Sequence, residues 1–533
     1  MTLRARGWPF WAQLAVVAGV WVAIGCAGAF LGWRTHELAL RGDAWRRSVF
    51  IGCAVTAIFT TYAVLYTYLF IRIGATGQKA AVVLPLEELE VVLTRNMMNP
   101  WSWRRTLFAL GLAAVTAGGF WSWWRQLVTG LSVTGLGRPV FWGLYIVNFE
   151  YLATTAYGAL LLAAILRLIR AEWRRPITRI AEVMAVLVVT VGAWNILLDL
   201  GRPDRALTKF FVWGRSESPL IWDMTSVTVF LVSAVFYLYV SLIPDLGLLR
   251  HHVTGWRRPL FHVLSFGWVN SPAQRNAVGV TLSVLSGMIV PITVMVLSVV
   301  AWVFAATVQP GWHSSIFGPY YVVGALFQGT AALTLILALL RRFMGLERVA
   351  LIPHFRALGL TLLTFSLLWT YFSGSEILTV YYGDEPVEMA VLRAKWLGAF
   401  APLTWTTVAT CLVIPVVALA RRRTVFTTVL ASVAVLFGMW FERFTTVVPT
   451  LAQPRLPVPR GHYFPSSVEL SLMAGGLALA ALAFLVFTRL FPIVSLWEEA
   501  EGQDAGARNA ASRIRNYFPT DDGGAPARAV EGA

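Results

Sequence analysis

The sequence predicts an all-α polytopic membrane protein with about twelve transmembrane helices, and three observations predict it. Hydrophobic residues make up 57% of the 533, against 43 Lys+Arg and 27 Asp+Glu, which is too little polar surface for a soluble globule of this length. The apolar residues come in runs of about 20 or more, the length that carries a helix across a hydrocarbon core. The basic residues fall in short clusters between those runs, as the positive-inside rule places them. The net charge of +16 therefore marks membrane orientation, with the lipid bilayer as partner and no nucleic acid. No separate soluble domain of about 100 residues fits in what remains.

Taken in order, runs 8–32 and 48–71 form an extra N-terminal pair, followed by a cytoplasmic linker to residue 105. The first opens on Trp8 and Trp11, is longer than the apolar stretch of a signal sequence and lacks a small-residue cleavage site, so it reads as a retained helix. Run 106–124 leads to a four-helix group, 140–166, 180–199, 222–243 and 278–308. A second group follows, 318–340, 357–381, 398–420 and 424–447, and run 468–491 closes the core. The division is thus 1–105, a ten-helix core over 106–498 with bundles at about 140–308 and 318–447, and a cytoplasmic tail, 499–533, rich enough in Ala, Gly and charge to be disordered.

The two groups read as a parallel repeat. Pro139 and Pro319 each open a long helix that ends at a basic turn, Arg167 to Arg179 and Arg341 to Arg356. The next helix ends at an acid 20 residues beyond the turn's last arginine, Asp199 and Glu376. With the N-terminus inside, one side collects 28 Lys and Arg and the other 14, which puts both termini in the cytoplasm of a bacterial inner membrane. The connection holding Arg34, Arg41, Arg46 and Arg47 runs against that count.

Cys26, Cys53 and Cys411 lie far apart in apolar runs, and the seven histidines fall in or beside polar connections. The chain lacks the ligand pattern for an iron–sulfur cluster or intramembrane haem, so it is expected to bind no metal, and redox centres belong to partners.

Ionisable groups at membrane depth are functional candidates by default. Glu150, Thr154 and Tyr157 are spaced to share one helix face, and Asn195, Asp199 and Arg202 form another line. Ser366, Trp369, Ser373 and Glu376 share helical spacing. Glu442 and Arg443 are adjacent, roughly 100° apart around a helix, so each is expected to face a different neighbour. Two readings stand: a buried ion pair of Arg443 with Glu376 or Glu442, or a proton route through the acids. The connections opposite the basic turns gather Asp199-Leu-Gly-Arg-Pro-Asp204, Ser216-Glu-Ser-Pro219, Trp222-Asp223 and Pro310-Gly-Trp-His313. Carboxylates, an arginine, a histidine and indoles at one interface suit a quinone head group; an aromatic belt with ordinary helix caps is the plainer reading.

At these residues the chain resembles the NrfD/PsrC family, the quinone-interacting membrane subunits of polysulfide reductase-like complexes. Leu198-Asp-Leu-Gly-Arg-Pro203 and Ser218-Pro-Leu-Ile-Trp-Asp223 carry the likeness. Pro310-Gly-Trp-His-Ser-Ser-Ile-Phe317, Gly438-Met-Trp-Phe-Glu-Arg443 and Phe491-Pro-Ile-Val-Ser495 are closest to the ActC-like subunit of alternative complex III. The resemblance covers about residues 90 to 498 and implies two four-helix bundles with flanking helices. It implies a quinol site (menaquinone or ubiquinone) at Tyr157, Asp199, Arg202, Trp222, Asp223 and His313, and a proton pathway at Glu150, Glu376, Glu442 and Arg443. The implied partners are a periplasmic iron–sulfur protein with multiple clusters, multihaem cytochromes of the c type and a second NrfD-like subunit. Tyr157 stands where those subunits tend to carry a histidine, and Trp302 and Val303 where they tend to carry an acid, which points to Glu150 for proton handling or to another quinone type.

Three functions compete. The chain is the quinol-binding subunit of a respiratory oxidoreductase; or a secondary transporter, although only Pro291 interrupts a span near its middle; or a structural anchor of a reductase.

Overall fold

A computed structural model describes residues 94–95, 97, 102–205, 218–307, 309–421, 423–455, 459 and 461–502. Runs 8–32 and 48–71 and the tail beyond 502 lie outside the described residues. Among the described residues there is no strand, and ten helical spans are long and apolar enough to cross a membrane.

The helices are α1 (Trp103–Thr129), α2 (Leu144–Leu168), α3 (Arg175–Asp199), α4 (Pro219–Leu249), α5 (Arg257–Leu264), α6 (Pro272–Ala305), α7 (Phe317–Met344), α8 (Ile352–Gly383), α9 (Pro386–Trp396), α10 (Ala401–Val408), α11 (Ile414–Arg421), α12 (Val425–Ala452) and α13 (Ser467–Leu490). Several begin before their apolar run because capping residues add a polar first turn. At α6 the Ser271 side chain accepts from the Gln274 amide at 3.3 Å, which sets the start six residues ahead of the hydropathy signal. The short helices α5 and α9 lie outside the expected runs, since hydropathy finds spans and not interfacial turns.

Helices α10 and α11 are one span interrupted by a π-turn, Ala409–Val413. Pro415 has no amide to give the Cys411 carbonyl, and the Ser366 hydroxyl of α8 donates to that carbonyl at 2.6 Å instead. A polar side chain from a neighbouring helix thus satisfies the backbone group the proline leaves open.

Helices α2, α3, α4 and α6 form one bundle, and α7, α8, α10–α11 and α12 the second. They meet chiefly along α2 and α7, which run in the same direction: Glu150 contacts Tyr321, Thr154 contacts Gln328, and Gly158 lies against Ala325 and Gly329. A Cβ on Gly158 would stand 1.7 Å from the Ala325 carbonyl oxygen, and one on Gly329 2.3 Å from the Ala159 nitrogen. Only glycine lets the backbones approach this closely, and in lipid such packing replaces the hydrophobic drive that helices lack there. Helices α1 and α13 pair in the same way at Gly119 and Gly475 and flank the first bundle through α13. The outward face of α1 exposes Leu107, Phe108, Trp121 and Trp124, as a lipid-facing helix would.

The basic turn between α2 and α3 is tied to the end of the core. Residues 496–502 form a helical turn in which Glu498 pairs with Arg167 and with Arg174 (2.6 Å), while Arg175 donates to the Glu498 carbonyl at 2.5 Å.

Candidate functional site

The face predicted at Glu150, Thr154 and Tyr157 exists, and it divides its side chains between the two bundles. Glu150 accepts from the Tyr321 hydroxyl at 2.8 Å, and Thr154 donates to Gln328 at 3.1 Å. Tyr157 turns into the first bundle, its ring edge-on to Phe230 at 4.5 Å. Asp223, buried in the second turn of α4, is an electrostatic neighbour of both Tyr157 and Glu150. The Tyr157 hydroxyl, one oxygen of Asp223 and one of Glu150 are buried and have no hydrogen-bond partner among the described residues. Each such group costs roughly 1–3 kcal/mol when it is left unmet.

The other expected head-group residues do not join them. Asp199 ends α3 but turns toward the flanking helices, where its electrostatic neighbours are Tyr145 and Glu469. Gln126 binds that region together, accepting from Tyr145 at 2.6 Å and donating to the Leu198 carbonyl at 2.7 Å. Arg202 is exposed and forks onto Asp204 at 3.0 and 2.9 Å. Trp222 is 41% exposed beside buried Asp223. His313 lies at the second bundle, its Nδ1 3.9 Å from Glu388 of α9.

Glu442 and Arg443 do not look to different neighbours, as their 100° separation suggested. Both side chains are long enough to bend back, and Arg443 Nη1 stands 3.3 Å from Glu442 Oε2. The guanidinium also lies over the Tyr321 ring at 4.4 Å, a cation–π contact in a desolvated site. Glu442 accepts from Tyr320 at 2.5 Å and from Thr446 at 3.1 Å. Glu150, Tyr321, Arg443, Glu442 and Tyr320 therefore make one polar chain across the bundle interface. Glu376 is not the partner of Arg443; the cation that acts on it is Lys395.

Glu376 and Glu442 line a cavity of about 230 Å³ inside the second bundle. Its walls come from α7, α8, α10 and α12, with Glu388, Val391 and Lys395 of α9 across one end. Among the described residues no group of three or more His, Cys, Asp and Glu is arranged to hold a metal ion.

A third charged cluster lies outside the residues that the sequence points to. Arg179 pairs with Glu182 (3.1 Å) and Asp245 (2.9 Å), Ser241 donates to Glu182, and Trp497 donates its amide to Asp245 at 3.1 Å. Arg179 and Glu182 are legible as an i, i+3 pair, but Asp245, 66 residues away from Arg179, gives no local signal.

The sequence profile of the family described as "Polysulphide reductase, NrfD" matches residues 132–454. The chain is 26% identical over 420 residues to a putative dimethyl sulfoxide reductase membrane subunit of Halobacterium salinarum, covering 72% of this chain and 90% of that one. It is 19% identical over 414 residues to a selenate reductase subunit of Mesobacillus selenatarsenatis, covering 74% and 96%.

Proposed function

Because the chain belongs to the polysulphide reductase NrfD family, we propose that it is the quinone-interacting membrane subunit of a respiratory oxidoreductase, handing electrons from menaquinol or ubiquinol to an iron–sulfur partner. The observation that supports this reading best is the unpartnered trio in the first bundle: Glu150, Tyr157 and Asp223. A head group is a flat apolar ring with oxygen at opposite ends. Asp223 can accept a hydroxyl proton, Tyr157 can donate to a ring oxygen, and Phe230 supplies an apolar wall. The chain supplies the site and the partner supplies the redox centres.

In this reading Arg202 and Trp222, exposed around the α3–α4 connection, belong to the rim that the partner covers. The excess of Lys and Arg at the other end favours a periplasmic rim and a bacterial inner membrane with both termini cytoplasmic. Protons leaving Asp223 or Glu150 meet the Tyr321 hydroxyl at the bundle interface, where Arg443, a fixed cation over the Tyr321 ring and beside Glu442, sets the field without itself carrying a proton. The motifs at Pro310–Phe317 and Gly438–Arg443 favour the alternative complex III variant, with multihaem cytochromes and a second NrfD-like subunit as further partners.

The test is quinol oxidation by the purified complex of Asp223→Asn and Tyr157→Phe. An amide cannot serve as the base, and phenylalanine cannot hold a ring oxygen, so turnover is expected to fall at least tenfold, about 1.4 kcal/mol or more. Activity of the partner subunits with an artificial donor should stay at the wild-type level. Wild-type quinol turnover in both variants would sink the reading.

A further inference from the structure

The cavity in the second bundle occupies a place equivalent to the trio in the first. Asp223 is in the second turn of α4, the third span of its bundle; the cavity is lined by Thr404, Thr407 and Val408 near the start of α10, the third-span counterpart. Glu376 stands in α8 at the repeat position of Asp199 in α3. Unlike Asp199, Glu376 lines its own bundle's interior.

The lining pairs apolar walls with polar groups of both kinds. Ile377, Val380, Leu392 and Leu412 give an apolar slot. Trp369, only 5% exposed, has an indole N–H that makes no hydrogen bond among the described residues, and the side chain lines the cavity. Glu442, 4% exposed, also lines the cavity, but one oxygen accepts from Tyr320 and Thr446 and the other is paired with Arg443, which leaves Glu376 as the acceptor. Among the described residues, Lys395 is the one cation in the lining. Donors and acceptors around an apolar slot fit a neutral ring with an oxygen at each end. The volume, about 230 Å³, lies below the roughly 300–1,000 Å³ of drug-sized pockets and suits a head group whose tail lies outside.

We propose that the second-bundle cavity is a second quinone head-group site, with Trp369 and Lys395 as donors and Glu376 as acceptor. The proposal rests on the reading that quinone is this chain's ligand class. The polar chain from Glu150 through Tyr321 and Arg443 to Glu442 then joins two head-group sites, one in each bundle.

The test uses the assembled complex and a short-tailed quinone, in benzoquinone and naphthoquinone forms, carrying a photoreactive diazirine, with labelled peptides mapped by mass spectrometry. Labels are expected in both bundles, on α2 or α4 and on α8, α10 or α12, and an excess of unlabelled short-tailed quinone should compete them away. Ser373 lines the cavity and its hydroxyl bonds only its own helix, to the Trp369 carbonyl, so Ser373→Phe should fill the space with little effect on assembly. It should reduce second-bundle labelling at least tenfold and leave first-bundle labelling intact. Lys395→Met should weaken the same labels about fivefold, without adding bulk.

Labels confined to the first bundle would overturn this proposal and leave the first site standing. Labels confined to the second would do the reverse. Second-bundle labels that persist in both variants, or that yield to phospholipid and not to quinone, would show a lipid-facing surface and overturn it. Labels in neither bundle would overturn both sites.

Discussion

Arg443 shows how one buried charge can serve structure and function with the same contacts. It is fully buried, pairs with Glu442 and covers the Tyr321 ring. Arg443→Ala would leave Glu442 as a buried carboxylate without its cation, at a cost of about 3–5 kcal/mol, measured as loss of assembled protein or a lower midpoint of thermal unfolding. The double variant Arg443→Met with Glu442→Gln should recover much of that, because no lone charge remains. If the single variant assembles like wild type, the pair has no structural role. Its surroundings leave little room: a Cβ on Gly324 would stand 3.1 Å from Arg443 Nη2, so Gly324→Ala should displace the guanidinium and reproduce part of the defect. Residue chemistry was legible here; geometry was less so. That Arg443 would pair with Glu376 or Glu442 could be read from their places in apolar runs. Which of the two it meets could not, because side-chain length undoes an argument made from helical angles.

Among the elements, the Glu498 ion cluster in the turn at 496–502 gives a pH dependence with a definite sign. Burial pushes the Glu498 carboxyl up, but the guanidiniums of Arg174 and Arg167 overcome that and hold it down at about 2, against an ordinary value of 4.5. A depressed carboxyl stabilises the folded arrangement fully above its ordinary value, and loses that contribution as pH falls through the folded one. The Glu498 contribution to docking of residues 491–502 on the α2–α3 turn should therefore be constant from pH 7 to about 5 and weaken progressively from about 4.5 toward 2, while Glu499, pushed up to about 7 by burial, adds a contribution of opposite sign that grows as pH falls from about 7 to 4.5. Hydrogen exchange over this segment reads it directly. Glu498→Gln should loosen the segment already at neutral pH, and protection equal to wild type there would remove the ion cluster as the cause. A second tie also fixes an element: Ser466-Ser-Val-Glu469 forms a capping box, and Glu469 also accepts from the Gly135 amide at 2.7 Å and from Tyr463 at 2.7 Å.

At the scale of the whole molecule, the order of the ten described spans was legible because lipid demands about 20 apolar residues for each. Which faces meet was not. Asp199 ends α3 and turns to the flanking helices, while its counterpart Glu376 lies seven residues before the end of α8 and lines a cavity. Sequence spacing places side chains on a face of a helix. The neighbour that the face meets depends on close approaches such as Gly158 with Gly329, which carry no pattern of their own.

Those close approaches bring Glu150 of one bundle to Tyr321 of the other, and so make the interface itself part of the proposed proton route. Tyr321→Phe removes a single hydroxyl from a buried, well-packed ring. It breaks the link to Glu150 while leaving the ring for Arg443, so assembly should be near wild type, within the roughly 1–3 kcal/mol of an unsatisfied acceptor. In proteoliposomes the variant should still reduce its acceptor with quinol, but fewer protons should appear on the outer side per electron, as a relay residue predicts. Glu442→Gln should lower the same ratio, because it removes the next acid along the chain. If both variants keep the wild-type proton-to-electron ratio, protons leave the first bundle by another path, and the chain from Glu150 to Glu442 serves to hold the two bundles together.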